Sequence, residues 1–391
     1  MFDWDGWLLK VVYYYGFLVG ISNFEVDWNR CRVFKTRRST IFAIVHNVLA
    51  WVLVLNYWKG RVSFNVLFGK ANKLHEYVVV IMSGLRVASG LLTITTRWRR
   101  RRQIMRILRR LFRLYLAKPQ VKRMSRRAIL IKFLNVCITD LLQITLGLDA
   151  LHRVGPDLIL GMALQFCMVS LMTVAISQYY LVMLFIRTQY VMLNSELRSV
   201  IEEARGLRYR PHRNGVFMTK CCDLSDRLDD LAQQQDEIQS IVASIAGAFG
   251  MQGLLVYTAY YLSAISTAYL TYSLVKHGIE NLGMTLGTVA VSLTWCFFYY
   301  VDALRNLFVV LSIQNEHRTL IRIIEERTVF LPGLDIRLEL SFENFQFQLI
   351  RNPFTMSVMK IFPINHGFTT LMFASLFMNS IYLIQYDMAN F

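Results

Sequence analysis

Two opposite charges stand in the middle of stretches that are otherwise apolar enough to cross a bilayer, Arg86 and Asp140. An isolated ion in hydrocarbon is costly, so charges at matched depth are expected to pair inside a helix bundle, either as a structural tie or in the wall of a ligand cavity. Lys132, close to the end of its stretch, can snorkel and calls for no partner. A second group is rich in tyrosine: Tyr257, Tyr260, Tyr261, Ser263, Ser266, Thr267, Tyr269, Thr271 and Tyr272 fall within 16 residues. Tyrosine offers an apolar ring and one hydroxyl, which suits an amphipathic organic molecule. Tyr269 and Tyr272 fit an interfacial aromatic belt equally well. Tyr257 and Tyr261 share a helix face deeper in the bilayer and are expected to line a pocket, with Gln165, Thr288 and Ser292 at similar depth. The third group lies on the last hydrophobic run, 367–386, where Thr369, Thr370, Ser375, Asn379, Ser380 and Gln385 place hydroxyls and amides along a spanning helix. Such a stripe serves a pore, a cavity or a helix interface, or acts as packing glue between helices.

Other chemistry finds no support in the residue pattern. There is no nucleophile elbow, no glycine loop for phosphates and no pair of histidines at metal-ligand spacing among the seven histidines. Adjacent Cys221 and Cys222 make a weak zinc signal and suit palmitoylation somewhat better. We therefore expect no enzyme, cofactor or metal. The net charge of +17 does not indicate nucleic acid, because the basic residues sit between hydrophobic spans.

The elements that must position these groups follow from composition. A chain of 391 residues with 55% hydrophobic residues and a mean hydropathy of +0.38 reads as a polytopic membrane protein. Seven stretches are long and apolar enough to span, at about 40–58, 77–96, 129–148, 159–186, 241–275, 282–301 and 368–386. The amino end, which carries Asp3, Asp5 and Lys10, lacks the basic leader of a signal peptide and reads as an interfacial amphipathic helix.

Lys and Arg number 35 on one side of these spans, 14 of them in 97–128 alone, against 6 on the other. The positive-inside rule then places the amino end in the cytoplasm and the carboxyl end outside. That is inverted relative to a G-protein-coupled receptor. The six cysteines lie inside spans or on the cytoplasmic side, so none is available for an outer disulfide. In the basic segment, Ile104, Ile107, Leu108, Leu111 and Tyr115 form one apolar face; the charge serves topology, with anionic lipid as a second use.

A heptad-like run, Leu224, Leu228, Leu231, Gln235, Ile238, Val242 and Ile245, leads directly into the fifth span. It predicts one long helix projecting below the membrane with Asp226, Asp229, Asp230 and Asp236 on its wet side. The sixth span likewise continues to about Glu326 before Pro332 and Gly333, and 338–350 predicts another amphipathic helix, with Pro353 and Pro363 setting its exit. The expected organisation is an amphipathic cytoplasmic segment at 1–39, six transmembrane helices at 40–301 with a helical extension at 187–240, cytoplasmic anchor helices at 302–366, a pore-lining helix at 367–386 and a short extracellular tail at 387–391. The anchor helices form a bundle that serves subunit contacts or packs only within the chain.

The ending resembles the insect gustatory receptors, within the insect chemoreceptor superfamily. Their signature in the last span is T-Y, five hydrophobic residues, then Q-F. Here Gln385 and Tyr386 stand in the Q-F places and Met378 with Asn379 in the T-Y places, and IFPINHGFTTLMFAS upstream is similar to the family's approach. The segment from FPINHGFT to LIQYDMANF resembles a fly subgroup that detects bitter or aversive compounds.

The resemblance implies a homo- or hetero-tetrameric, ligand-gated, non-selective cation channel in the plasma membrane of gustatory sensory neurons. Its partners would be a small organic tastant, other gustatory receptors and membrane lipid. Gln385 falls at the narrow outer part of the pore with Tyr386 beside it; Ile381, Met378 and Ser375 share or adjoin the face of Gln385, and Ile381 or Gln385 is expected to form the closed constriction. A non-conducting or accessory subunit, or a metabotropic chemoreceptor, is the alternative. A transporter is disfavoured by the lack of an inverted repeat.

Overall fold

The computed structural model describes residues 4–28, 32–59, 73–117, 119–154, 159–208, 214–278, 285–330, 335–359 and 362–390. Pro332, Gly333 and Cys31 lie outside them. The chain is an all-α membrane protein, and among the described residues seven helices are long and apolar enough to cross a bilayer. The spanning helices are α2 (Arg37–Lys59), α3 (Lys73–Arg99), α5 (Pro119–Val154), α6 (Ile159–Arg208), α7 (Asn214–His277), α8 (Leu286–Phe330) and α10 (His366–Asn390). The other described helices are α1 (Trp4–Leu18), α4 (Arg101–Ala117) and α9 (Ile336–Arg351). Two short antiparallel hairpins, β1–β2 (Glu25–Asp27 with Arg32–Phe34) and β3–β4 (Ser357–Val358 with Phe362–Pro363), were not apparent from the residue pattern.

Helices α6, α7 and α8 run for 50, 64 and 45 residues. At ~1.5 Å per residue the longest extends about 95 Å, three times a ~30 Å hydrocarbon core. The excess forms a helical foot with its own core: Leu193, Leu197 and Val200 of α6, Leu224, Leu228 and Leu231 of α7, Leu320 and Ile324 of α8, and Leu338, Phe342 and Phe345 of α9. All seven positions of the heptad-like run are buried, and Asp226, Asp229, Asp230 and Asp236 are exposed. Polar ties set the register of α9 on α7. Gln348 Nε2 donates to Ala232 O and Gln235 Oε1, both at 2.9 Å, Ser225 and Ser341 hydroxyls lie 2.8 Å apart, and Arg337 pairs with Asp226 at 2.8 Å. The long helices are therefore clamped by side-chain geometry as well as apolar burial.

The amino-terminal helix differs from the expected flat interfacial one. Leu8 and Leu9 are buried, Phe17 stacks on Phe42 of α2 at 4.7 Å, and Tyr15 donates to Asp140 Oδ2 at 2.7 Å. Because Asp140 lies midway along a span, α1 enters the bundle rather than lying on its surface. The chain then reverses at Gly20, whose φ of 81° favours glycine. Gly16 permits the return strand to pass close, since a Cβ there would lie 2.8 Å from Ser22 Oγ and 2.9 Å from Gln178 Nε2.

Candidate ligand cavity and pore helix

Helix α10 starts at an Asn365 cap, whose Oδ1 accepts from Phe368 N at 2.7 Å. It leans on α7 and is otherwise bare: 6% of its most apolar window is buried, against 50% for α6. Its polar stripe divides into three uses. Thr369, Thr370 and Ser380 donate back to carbonyls four residues earlier at 2.8, 3.0 and 2.8 Å. Ser375 and Asn379 face α7, where Tyr261 Oη lies 2.7 Å from Ser375 Oγ and accepts from Asn379 Nδ2 at 2.6 Å. Gln385 is exposed, and so are Ile381, Met378 and Tyr386.

At 100° per residue, Met378 and Gln385 lie within about 20° of each other, with Ile381 about 40° from Gln385. Opposite them sits Asp387, fully buried, held by Lys276 Nζ at 2.8 Å and Tyr269 Oη at 3.2 Å. Tyr269 thus has a bonding role that an interfacial belt does not describe. The face of α10 opposite these ties carries Met378, Gln385 and Ile381, whereas Ser375 and Tyr386 lie on its flank.

The root of α10 is tied to α8 through the β3–β4 hairpin. Gln314 Nε2 donates to Ile364 O at 2.5 Å, and His317 Nε2 accepts from Phe354 N at 3.3 Å. Helices α7 and α8 therefore each grip α10 or its approach, at different heights.

A cavity of about 60 Å³ lies between α6, α7, α8 and this hairpin, lined by Tyr179, Phe249, Tyr257, Tyr260, Asn306 and Met356 among others. Tyr257 is among the lining residues. The participation of Met356 and Ile364 puts the cavity in the foot-ward half of the bundle. Tyr261 is turned to α10 and does not line it.

Further from the foot, Arg86 and Asp140 are not paired. The Arg86 guanidinium lies over the Trp295 ring at 5.4 Å, while Asp140 accepts from Tyr15. Central placement on two spans does not bring side chains together when they point to different neighbours. Trp295 stacks on Tyr299 at 5.1 Å, Tyr299 meets Tyr260 at 4.9 Å, and Tyr300 Oη lies 2.7 Å from Thr267 Oγ1 and 3.3 Å from Ser263 Oγ. Arg86 and these rings thus form a contiguous row across α3, α7 and α8. Trp295, Tyr299 and Tyr300 were missed; the signal was the run WCFFYY at 295–300, which reads equally as lipid-facing bulk.

The remaining wall residues separate. Gln165 has both amide atoms buried without a hydrogen-bond partner. Thr288 is in the first turn of α8, 2.9 Å from Asp149 Oδ2, so it ties α8 to α5 at the helix start rather than sharing the depth of Tyr257. Ser292, one turn on, is half-buried. Lys132 does not snorkel: it is buried and contacts Asp302 Oδ1 and Oδ2 at 2.6 and 2.7 Å, with Asn135 also donating to Asp302. Among the described residues no group of three or more His, Cys, Asp or Glu is placed to hold a metal.

Seven helices able to span among the described residues, an amino-terminal helix that enters the bundle and a largely bare terminal helix define a polytopic membrane protein. The profile described as 7tm chemosensory receptor matches residues 9–390, so the chain belongs to that family. It is 46% identical over 391 residues to the Drosophila melanogaster protein named as gustatory receptor 36a and 45% identical over 390 residues to that named 36c, each match covering 100% of both chains. The fold is similar to the insect olfactory receptor OR5 from Machilis hrabei, with TM-score 0.65 and 10% identity over 97% of each chain. It is also similar to the same receptor in complex with eugenol, with TM-score 0.58 and 14% identity over 97% of this chain and 98% of that one.

Proposed function

We propose that the protein is a gustatory receptor that works as a ligand-gated, non-selective cation channel, with α10 lining the pore in a homo- or hetero-tetramer. The observation that carries this reading is the face of α10 bearing Met378, Gln385 and Ile381, which points away from everything α10 touches in its own chain. A spanning helix exposing an amide to hydrocarbon is unfavourable, and water or neighbouring copies of the helix would satisfy it. In the closed state Ile381 or Gln385 forms the constriction, an apolar ring gating by dewetting. The foot supplies the contact between subunits. The foot and the amino end face the cytoplasm, α10 ends outside, and the membrane is the plasma membrane of gustatory sensory neurons.

A small organic tastant, bitter or aversive by the character of the ending, binds among the Arg86, Trp295, Tyr299 and Tyr260 row and the cavity beside Tyr257. Eugenol, bound by the Machilis receptor, is an aromatic compound of the kind such a row can hold. Ligand would spread α7 and α8, and their grips on α10 at Tyr261, Asp387 and the β3–β4 hairpin would draw the four terminal helices apart. The ligand must bind the open state better than the closed one for this to occur. Current through the purified chain in planar bilayers, with a panel of bitter compounds, tests the proposal: evoked cation current supports it. Silence from a folded preparation would favour the second reading, an accessory subunit needing a partner receptor, to which the Met378 and Asn379 replacements lend some support.

A further inference from the structure

Arg97, in the last turn of α3, is 4% exposed, and its Nε and Nη2 are buried without a hydrogen-bond partner. Its guanidinium lies over the Phe249 ring at 5.0 Å. It borders a cavity of about 100 Å³ whose other walls are nearly all apolar, including Leu9, Val12, Ile107, Leu181 and Phe185. The neighbouring polar side chain Gln178 is engaged with Ser22 at 3.2 Å. A buried cation without a counter-charge is strongly unfavourable, and a ring face compensates it only in part. The cavity thus presents one cation and a hydrocarbon-like wall. On its flank, α4 exposes Arg102, Arg106, Arg109 and Arg110, which raise the local concentration of anions.

We propose that this cavity, distinct from the tastant site, binds a single-chain amphiphile with an anionic head, a carboxylate or a phosphate monoester. The head takes the free Nε and Nη2 of Arg97, and the chain lies along Leu181, Phe185 and Ile107 between α1, α4 and α6. Such a ligand would fasten the re-entrant α1 to the bundle, because Leu9 and Val12 of α1 form part of the wall.

The test is titration of the purified full-length chain, stripped of lipid in a neutral maltoside detergent, with decanoate, decyl phosphate and decanol. The expected result is saturable binding of one or both anions, a rise in the thermal unfolding midpoint with that ligand, and binding weakened by about tenfold or more in Arg97→Met but less in Arg97→Lys, which keeps the charge and loses the two-pronged contact. Binding of decanoate alone assigns a fatty acid, and of decyl phosphate alone a phosphate head. Without ligand, Arg97→Met should unfold at or above the midpoint of the parent, since it removes an unpaired charge; a much lower midpoint would mean that the charge is already satisfied and would overturn the site. Decanol binding as tightly as the anions, unchanged anion binding in Arg97→Met, or no saturable binding would overturn it too. Leu181→Trp, which fills the cavity, should abolish binding at unchanged helix content and provides a second arm independent of the charge.

Discussion

Asn379 of α10 donates to the hydroxyl of Tyr261 on α7 at 2.6 Å, and that hydroxyl also lies 2.7 Å from Ser375, one turn earlier on α10. The phenolic hydroxyl at this α7–α10 contact is supplied by α7. Removing it should alter how α7 moves α10. Tyr261→Phe and Asn379→Ala should each shift the half-activating ligand concentration, and the double variant should fall short of their sum by about 0.5–1.5 kcal/mol, roughly two- to tenfold. Strict additivity would show that the bond carries no coupling.

The Lys132–Asp302 pair is buried and bridges α5 and α8, with Asn135 and Asn306 satisfying further positions. Loss of one partner leaves an uncompensated charge. Lys132→Met alone or Asp302→Leu alone should destabilise the purified protein by about 3–5 kcal/mol, and the double variant should recover much of the loss. Thermal unfolding in detergent reads this, and a double variant no better than the singles would contradict the pairing.

Arg86 over Trp295 is the charged end of the ring row. Arg86→Met should weaken activation by aromatic ligands about two- to thirtyfold while leaving the maximal current intact, since the contact is worth about 0.5–2 kcal/mol. A change in maximal current with unchanged half-activating concentration would place Arg86 in gating instead.

On the foot, Phe342 is fully buried whereas Phe347 is 68% exposed on the same helix. Phe342→Ala should cost about 3–5 kcal/mol in folding. Phe347→Glu should leave the fold intact and reduce the tetramer fraction measured by light scattering. A tetramer insensitive to Phe347→Glu would move the subunit contact elsewhere.

The spans and the foot were legible because hydrophobic length and a 3–4 repeat are local properties: every position from Leu224 to Ile245 in the heptad-like run is buried. The pairings were not. Lys132 and Asp302 are 170 residues apart, and nothing near Lys132 announces a carboxylate. Arg86 and Asp140 each stand midway along a hydrophobic stretch, but azimuth around the helix decides contact, and their neighbours Trp295 and Tyr15 come from elements whose packing only the three-dimensional structure fixes. The course of α1 was hidden for the same reason. Its aromatic residues suit a headgroup interface in composition, whereas buried Leu8 and Leu9, the Phe17–Phe42 stack and the hydrogen bond from Tyr15 to a mid-span aspartate show that it enters the bundle. Tyr257 and Tyr261 were placed together by helix periodicity, yet the 40° between them is enough to give one to the cavity and the other to α10.

The central claim, that α10 lines a cation pore at Gln385, is tested most directly by single-channel conductance of the parent chain, Gln385→Glu and Gln385→Lys. A ring of acids concentrates cations at a narrow pore and a ring of bases repels them. The account predicts that unit conductance rises in Gln385→Glu and falls in Gln385→Lys, with the difference shrinking at high salt. Equal conductance in all three, from channels that open to the same ligand, would contradict a pore lined by this residue.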